Sequence, residues 1–429
     1  MILLTIISVF LVCLLIGVPV AFSIVIAAAI PIIFEPLVSL TQASSVMIES
    51  FSSFTLLAIP LFIFCGALLN LTKVTDDLIY ISKSLVGNLK GSLAHINIVT
   101  SVFFGAISGS SVADVASLGR ILIPAMVKAG YSKEFAATIT AASSTIGSII
   151  PPSILLIVYG ALSQTSVASL FIAGIIPGVL IGATQMFYAY YYAHKNNVGP
   201  VSNELLGLSE DDKLSKRLAI KKSIFPVSLF LIVIVGIMAG VFTATEAAAI
   251  AVVYVFVVAF FIKKERSFKN YKEVMHRAVT DSASIYILIA AASFLSWVLS
   301  YYQALDPVIS FIIENDFNAF TFLLVLVLLY FILGTFMEPN SAMLIFVPMS
   351  VPVIRVDPVV AGIVTVMAIR LGTVTPPYGL STLLSAKIAG TNVLKMMKHI
   401  VIFVIIYLVS ILSIIVFPQI VTFLPDLLM

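Results

Sequence analysis

Gly147-Ser-Ile-Ile-Pro151-Pro152 and Gly372-Thr-Val-Thr-Pro376-Pro377 lie 225 residues apart, each inside a long apolar stretch. Proline removes a backbone donor and clashes with the preceding turn, so a Pro-Pro pair interrupts a helix and frees carbonyls. Hydrocarbon tolerates such a break only where protein or a water-filled cavity surrounds it. Ser143, Ser144, Thr145 and Ser148 surround the first break, and Thr373 and Thr375 flank the second. Nearby apolar stretches carry polar turns of their own, Ser108-Gly109-Ser110-Ser111 and Glu338-Pro339-Asn340-Ser341. Neutral oxygens and freed carbonyls are ligands for a hard monovalent cation, and half-helix C-termini add negative potential. Half-helix N-termini present N–H groups that suit a carboxylate.

The expectation is one Na⁺ at each pairing of turn and break. Ser108, Gly109, Ser110, Ser143, Gly147 and Ser148 would serve the first site. Gly334, Pro339, Asn340, Thr373 and Thr375 would serve the second. An anionic substrate would lie between them, contacted by Ser111, Ser153, Ser341, Arg370 and Pro376. Arg370, two residues before Gly372, either receives the substrate carboxylate or braces a hairpin. Ser and Thr in membrane helices also serve as packing residues, and a lone Gly or Pro as a kink. The duplication is what favours binding sites.

The elements that position these residues follow from composition. The 429 residues are 61% hydrophobic and 10% charged, which describes an all-α polytopic membrane protein. Apolar stretches of about 20 residues give about ten crossings, with shorter re-entrant pieces. The net charge of +3 comes mainly from loop Lys and Arg, so it reports orientation and gives no reason to expect a nucleic-acid partner. Cys13 and Cys65 have no partner spacing for a disulfide framework or a metal site. The start of the chain reads as a retained first helix.

A polar linker at 195–222 divides the chain into a first repeat, 1–194, and a second, 223–429. Landmarks recur in order: Gly17 with Gly240, Gly105 with Gly334, Pro124 with Pro348, Pro151 with Pro376. Lysines flank the stretch 92–127 on both sides, so by the positive-inside rule it enters and leaves on the cytoplasmic face as a hairpin. The loop at 305–318 carries Asp306, Glu314 and Asp316 without Lys or Arg, so the second hairpin, about 318–354, enters from outside. The broken helices are expected at about 134–165 and 358–390, and both chain termini on the outer face. Five crossings and one hairpin per half make an inverted-topology repeat, the architecture of secondary transporters. Amphipathic stretches at 36–52, 73–90 and 263–278 are expected to lie in the interface as arms. Glu246 reads as a helix cap, and Trp297, Tyr301 and Tyr302 as an interfacial belt.

Enzymatic function is not expected. The four His residues (95, 194, 276 and 399) stand apart, no His-Glu-x-x-His occurs, and no Walker motif is present. No cofactor is expected beyond Na⁺ as coupling ion, and each Na⁺ drawn inward contributes about 2.3 kcal/mol per 100 mV.

These residues resemble the large membrane subunit of tripartite ATP-independent periplasmic (TRAP) transporters. The resemblance is carried by Leu56-Leu-Ala-Ile-Pro60-Leu-Phe-Ile-Phe-Cys-Gly66, Phe104-Gly-Ala-Ile-Ser-Gly-Ser-Ser-Val-Ala-Asp114 and Ser143-Ser-Thr-Ile-Gly-Ser-Ile-Ile-Pro-Pro-Ser153. Gly240-Val-Phe-Thr-Ala-Thr-Glu-Ala-Ala-Ala249 and Thr375-Pro-Pro-Tyr-Gly379 carry it further, with Ala244 where the family more often has Pro. The resemblance implies a bacterial inner membrane location and an elevator motion of hairpins and broken helices against a fixed scaffold. It implies two partners, a small four-helix membrane subunit as a separate chain and a periplasmic substrate-binding protein. It also implies Na⁺-driven uptake of an organic acid. Sialic acid is favoured because central cations are scarce; a C4-dicarboxylate, or a carrier needing no binding protein, is the alternative.

Overall fold

A computed structural model describes residues 2–33, 40–72, 74–200, 216–353, 356–377 and 379–429. Lys73 and most of the linker, 201–215, lie outside the described residues. All regular structure among the described residues is helical.

The first half opens with α1 (Ile2–Leu15), α2 (Val20–Ile33), α3 (Leu40–Glu49), α4 (Ala58–Leu71) and α5 (Val74–Val86). A hairpin of α6 (Ser92–Ser108) and α7 (Ser111–Lys128) follows. The interrupted pair α8 (Lys133–Ser143) and α9 (Ile154–Ser163) and the long α10 (Val167–Lys195) complete it. The second half repeats the plan with α11 (Lys216–Met238), α12 (Ala244–Val257), α13 (Phe268–Tyr301) and the short α14 (Asp306–Glu314). Its hairpin is α15 (Ala319–Phe336) and α16 (Pro339–Ser350), its interrupted pair α17 (Pro358–Val374) and α18 (Leu380–Ala389). The chain ends with α19 (Val393–Val416) and α20 (Gln419–Leu428).

Local chemistry explains the starts and stops. Ser110, Ser132, Ser153, Asn318 and Asp357 each accept a backbone N–H in the first turn of the helix they precede. Thr243 and Glu246 form a reciprocal capping box at the start of α12. Both Pro-Pro bonds are cis.

Among the described residues, six helical segments are long and apolar enough to cross a membrane: 54–71, α10, 244–262, α13, α15 and α19. Two packed bodies result. One gathers α1, α2, α4, α12 and α13; the other gathers α6 to α10 and α15 to α20. They meet where α13 lies against α16, and α4 against α6 and α9. The arm α5 packs on both α6 and α11. It ties to hairpin residue Thr100 through Ser82 (2.8 Å) and to Lys263 of the other body through Asp77 (2.6 Å).

Two expectations need correction. The stretch 263–278 is not a separate interfacial helix, because from Phe268 it runs without a break into α13. The last part of the stretch read as linker, 216–222, is helical and belongs to α11.

Candidate functional site

Each hairpin is joined to its broken helix by two glycines in backbone contact. A Cβ added at Gly105 would stand 2.6 Å from Gly147 Cα, and one at Gly372 would stand 2.3 Å from the Gly334 carbonyl carbon. Only residues without side chains allow main chains this close. The same joint is built twice, Gly105 on Gly147 in α6 and the first break, Gly334 on Gly372 in α15 and α17.

Polar groups gather at the first joint. Asn97 donates to Thr140 Oγ1 (2.6 Å), Ser143 donates to Asn97 Oδ1 (3.1 Å), and Ser101 can then donate to Ser143 Oγ (3.0 Å). Ser144 and Thr145 turn their hydroxyl hydrogens back onto carbonyls three residues earlier, which leaves oxygen lone pairs free. Ser148 Oγ is buried without a hydrogen-bond partner. Asp114, in the first turn of α7, is fully buried, and the Ser101 hydroxyl is the polar side chain beside its carboxylate. A buried carboxylate met by one hydroxyl is costly unless a proton or a cation joins it. In the sequence Asp114 stood out only as the last residue of the motif 104–114, with no role assigned, and Asn97 was missed. The available signal was Asn97, Thr100 and Ser101 at spacings of three and four, one polar face on an otherwise apolar hairpin helix.

The second joint is stitched by threonines. Thr373 donates to Arg370 O (2.7 Å), Thr375 to Leu371 O (2.9 Å), and Thr382 to Val374 O (2.7 Å). Hydroxyls thus close several carbonyls freed by the breaks; Ser148 O is taken by Ser153 Oγ at 2.5 Å.

Both hairpin tips converge on one cavity of about 740 Å³. Gly109, Ser110 and Ser111 enter from one side, Glu338, Pro339, Asn340 and Ser341 from the other, with Arg370 and Thr373 between them. Arg370 is buried, donates from Nη1 to Ser111 Oγ (2.9 Å), and leaves Nε without a partner. The guanidinium thus braces a hairpin tip and also lines the cavity, with Nε buried and unpaired. The opposite wall is α4 and α13, with Asn70, Asn270, Glu273, Arg277 and Asp281.

Of the residues expected to hold ions, Gly109, Ser110, Pro339, Asn340 and Thr373 line this cavity, while Ser143, Gly147, Ser148 and Gly334 are buried in the joints. Thr375 lies in the second break, turned back on Leu371 O. The Ser108 side chain lies outside the described residues. Of the residues expected at the substrate, Ser111, Ser341 and Arg370 line the cavity. Ser153 and Pro376 do not; Ser153 is wholly buried as the cap of α9.

Two re-entrant tips and two interrupted helices around one central cavity form the core of a carrier. The family model described as "Tripartite ATP-independent periplasmic transporter, DctM component" matches residues 7–420. The chain belongs to the TRAP transporter large-permease family. The sialic acid TRAP transporter large permease protein SiaM of Vibrio cholerae is 30% identical, over 96% of this chain and 95% of that protein. The C4-dicarboxylate TRAP transporter large permease protein DctM of Pseudomonas aeruginosa is 34% identical over 80% of each. The Alcanivorax borkumensis YdaH transporter shares the fold, with a TM-score of 0.62 at 15% identity, covering 88% of both chains. This TRAP permease is a membrane transport protein and not an enzyme.

Proposed function

We propose that this TRAP permease takes up an organic acid, sialic acid in preference to a dicarboxylate, by Na⁺-coupled elevator transport in a bacterial inner membrane. A small four-helix membrane subunit and a periplasmic binding protein that delivers the substrate complete the machine. The observation that carries the reading is Arg370: a buried guanidinium with an unpaired donor, at the cavity where both hairpin tips meet. Such a group in a membrane interior favours anionic company, which Glu338 supplies in part at electrostatic range and a substrate carboxylate would complete. The first Na⁺ sits at the Gly105–Gly147 joint with Asp114 as the charged contributor, the second at the Gly334–Gly372 joint. The cavity lining includes the ends of α4 and α13 that adjoin the basic stretch 263–277. By the positive-inside rule that side is cytoplasmic, which supports reading this as an inward-facing state; the same rule applied to the loops assigns both termini to the periplasm.

The test is uptake of radiolabelled N-acetylneuraminate into proteoliposomes holding both membrane subunits, with and without a Na⁺ gradient and the binding protein. Uptake that ignores Na⁺ refutes the coupling. Uptake of dicarboxylates alone refutes the sialic acid preference, and full uptake without the binding protein leaves a self-sufficient carboxylate carrier in its place.

A further inference from the structure

The cavity carries its charges unevenly. Its lining includes two guanidiniums, Arg277 and Arg370, against three carboxylates, Glu273, Asp281 and Glu338. Arg277 already lies 3.9 Å from Asp281 on the same helix. Among the described lining residues Arg370 is therefore the cation left for a substrate, and it faces an excess of negative charge.

Glu338 stands at the tip of the second hairpin, exposed to the cavity and within electrostatic reach of Arg370. Its Oε2 accepts from Ser341 N (2.9 Å) and from Ser341 Oγ (3.3 Å). Its Oε1 accepts from Asn340 Nδ2 (2.7 Å). These bonds hold the carboxylate in place and leave acceptor capacity on Oε1. Beside it Asn340 Oδ1 is buried with no partner, a second acceptor without a donor. The tip thus presents the Glu338 carboxylate to the cavity, while Arg370 lines the same cavity with its guanidinium.

We infer that Glu338 is the specificity residue of the cavity: it selects substrates with one carboxylate for Arg370 and hydrogen-bond donors (hydroxyl, amide N–H or ammonium) at the other end, and it rejects a second carboxylate. This rests on reading the cavity as the substrate site. A hydroxyl or ammonium satisfies the free acceptor capacity at Glu338. A second carboxylate would meet like charge, for which unit charges a few ångströms apart in a partly hydrated site give a penalty of roughly tenfold or more in affinity.

The permease with its small subunit is placed in nanodiscs with Na⁺, and binding is titrated for N-acetylneuraminate, gluconate, γ-aminobutyrate, succinate and malate. In the unmodified protein the tightest monocarboxylate should bind about tenfold or more tightly than either dicarboxylate. Glu338→Gln keeps an acceptor at the cap of α16 and removes the charge, so that ratio should collapse toward unity. A cap lost for purely structural reasons would weaken all ligands alike and leave the ratio standing. A dicarboxylate binding the unmodified protein best, or an unchanged ratio in Glu338→Gln, overturns the inference and leaves the carrier reading intact. Binding by none of the five acids, or by all of them undiminished in Arg370→Gln, defeats the carboxylate site itself.

Discussion

The paired glycine contacts make a quantitative demand on transport. In Gly372→Ala the new methyl would meet Gly334 carbonyl carbon at 2.3 Å and Gly334 Cα and Thr335 N at 2.6 Å, and in Gly105→Ala it would meet Gly147 Cα at 2.6 Å. These neighbours are main-chain atoms, so no rotamer change can relieve the clash and hairpin must part from break. Overpacking of this kind costs about 1–3 kcal/mol. If Na⁺ binds only when the joint is closed, that cost lowers apparent Na⁺ affinity by about 5- to 150-fold. Gly182→Ala supplies the control, because its methyl finds only Ile146 Cδ1 at 3.9 Å in an α-helix. That variant should keep normal Na⁺ dependence. The assay is initial uptake in proteoliposomes over a range of Na⁺ concentrations, with thermal unfolding run in parallel to confirm a folded protein. Folded Gly105→Ala and Gly372→Ala permeases with the Na⁺ half-saturation of the unmodified protein would refute the coupling of joint closure to ion binding.

Other consequences are as direct. Asp114→Asn preserves shape and removes the buried charge, so Na⁺ half-saturation should rise by about tenfold or more; unchanged Na⁺ dependence in uptake would remove Asp114 from the ion site. Arg370→Lys keeps the charge but loses the planar fork, and substrate half-saturation in the same assay should rise by roughly tenfold. Ser153→Ala removes a helix cap and should cost about 1 kcal/mol in thermal stability without altering substrate half-saturation, since Ser153 does not reach the cavity. Tyr159→Phe deletes a hydrogen bond from α9 to Pro358 O at the start of α17 and should lower stability by about 1 kcal/mol while uptake persists.

What could be read before folding, and what could not, divides along the range of the physics involved. A Pro-Pro pair breaks its own helix wherever it lies, so the interruptions at 151–152 and 376–377 were visible at once. Gly105 and Gly334 were paired by their offset across the halves, as were the breaks that Gly147 and Gly372 precede, but that hairpin glycine meets break glycine was not visible. Partners contributed by distant elements were invisible. Asn97 and Asp114 look like isolated polar residues until α6, α7 and α8 assemble around them. Ser153 shows the opposite failure: a serine after a break can be a ligand or the cap of the next helix, and local composition is identical for both. The basic run at 263–278 misled for a related reason, because charges mark the interface without marking a helix end, and nothing after Ser267 interrupts α13.

The same division explains why the class of transport is easier to reach than the cargo. Breaking two helices in hydrocarbon and lining the gap with oxygens has few purposes besides moving small ions and solutes, so the chemistry of the scaffold alone narrows function. Cargo identity depends on the far end of the substrate, and there the residue that matters is Glu338, whose type also fits an ordinary helix cap. Its dual fitness hides it in the sequence. Only the placement of its carboxylate in the same cavity as Arg370 separates recognition from capping, because a cap needs an acceptor and recognition of a monocarboxylate with donor groups needs the charge as well. Glu338→Gln, which retains the first and deletes the second, is for that reason the substitution that tells them apart.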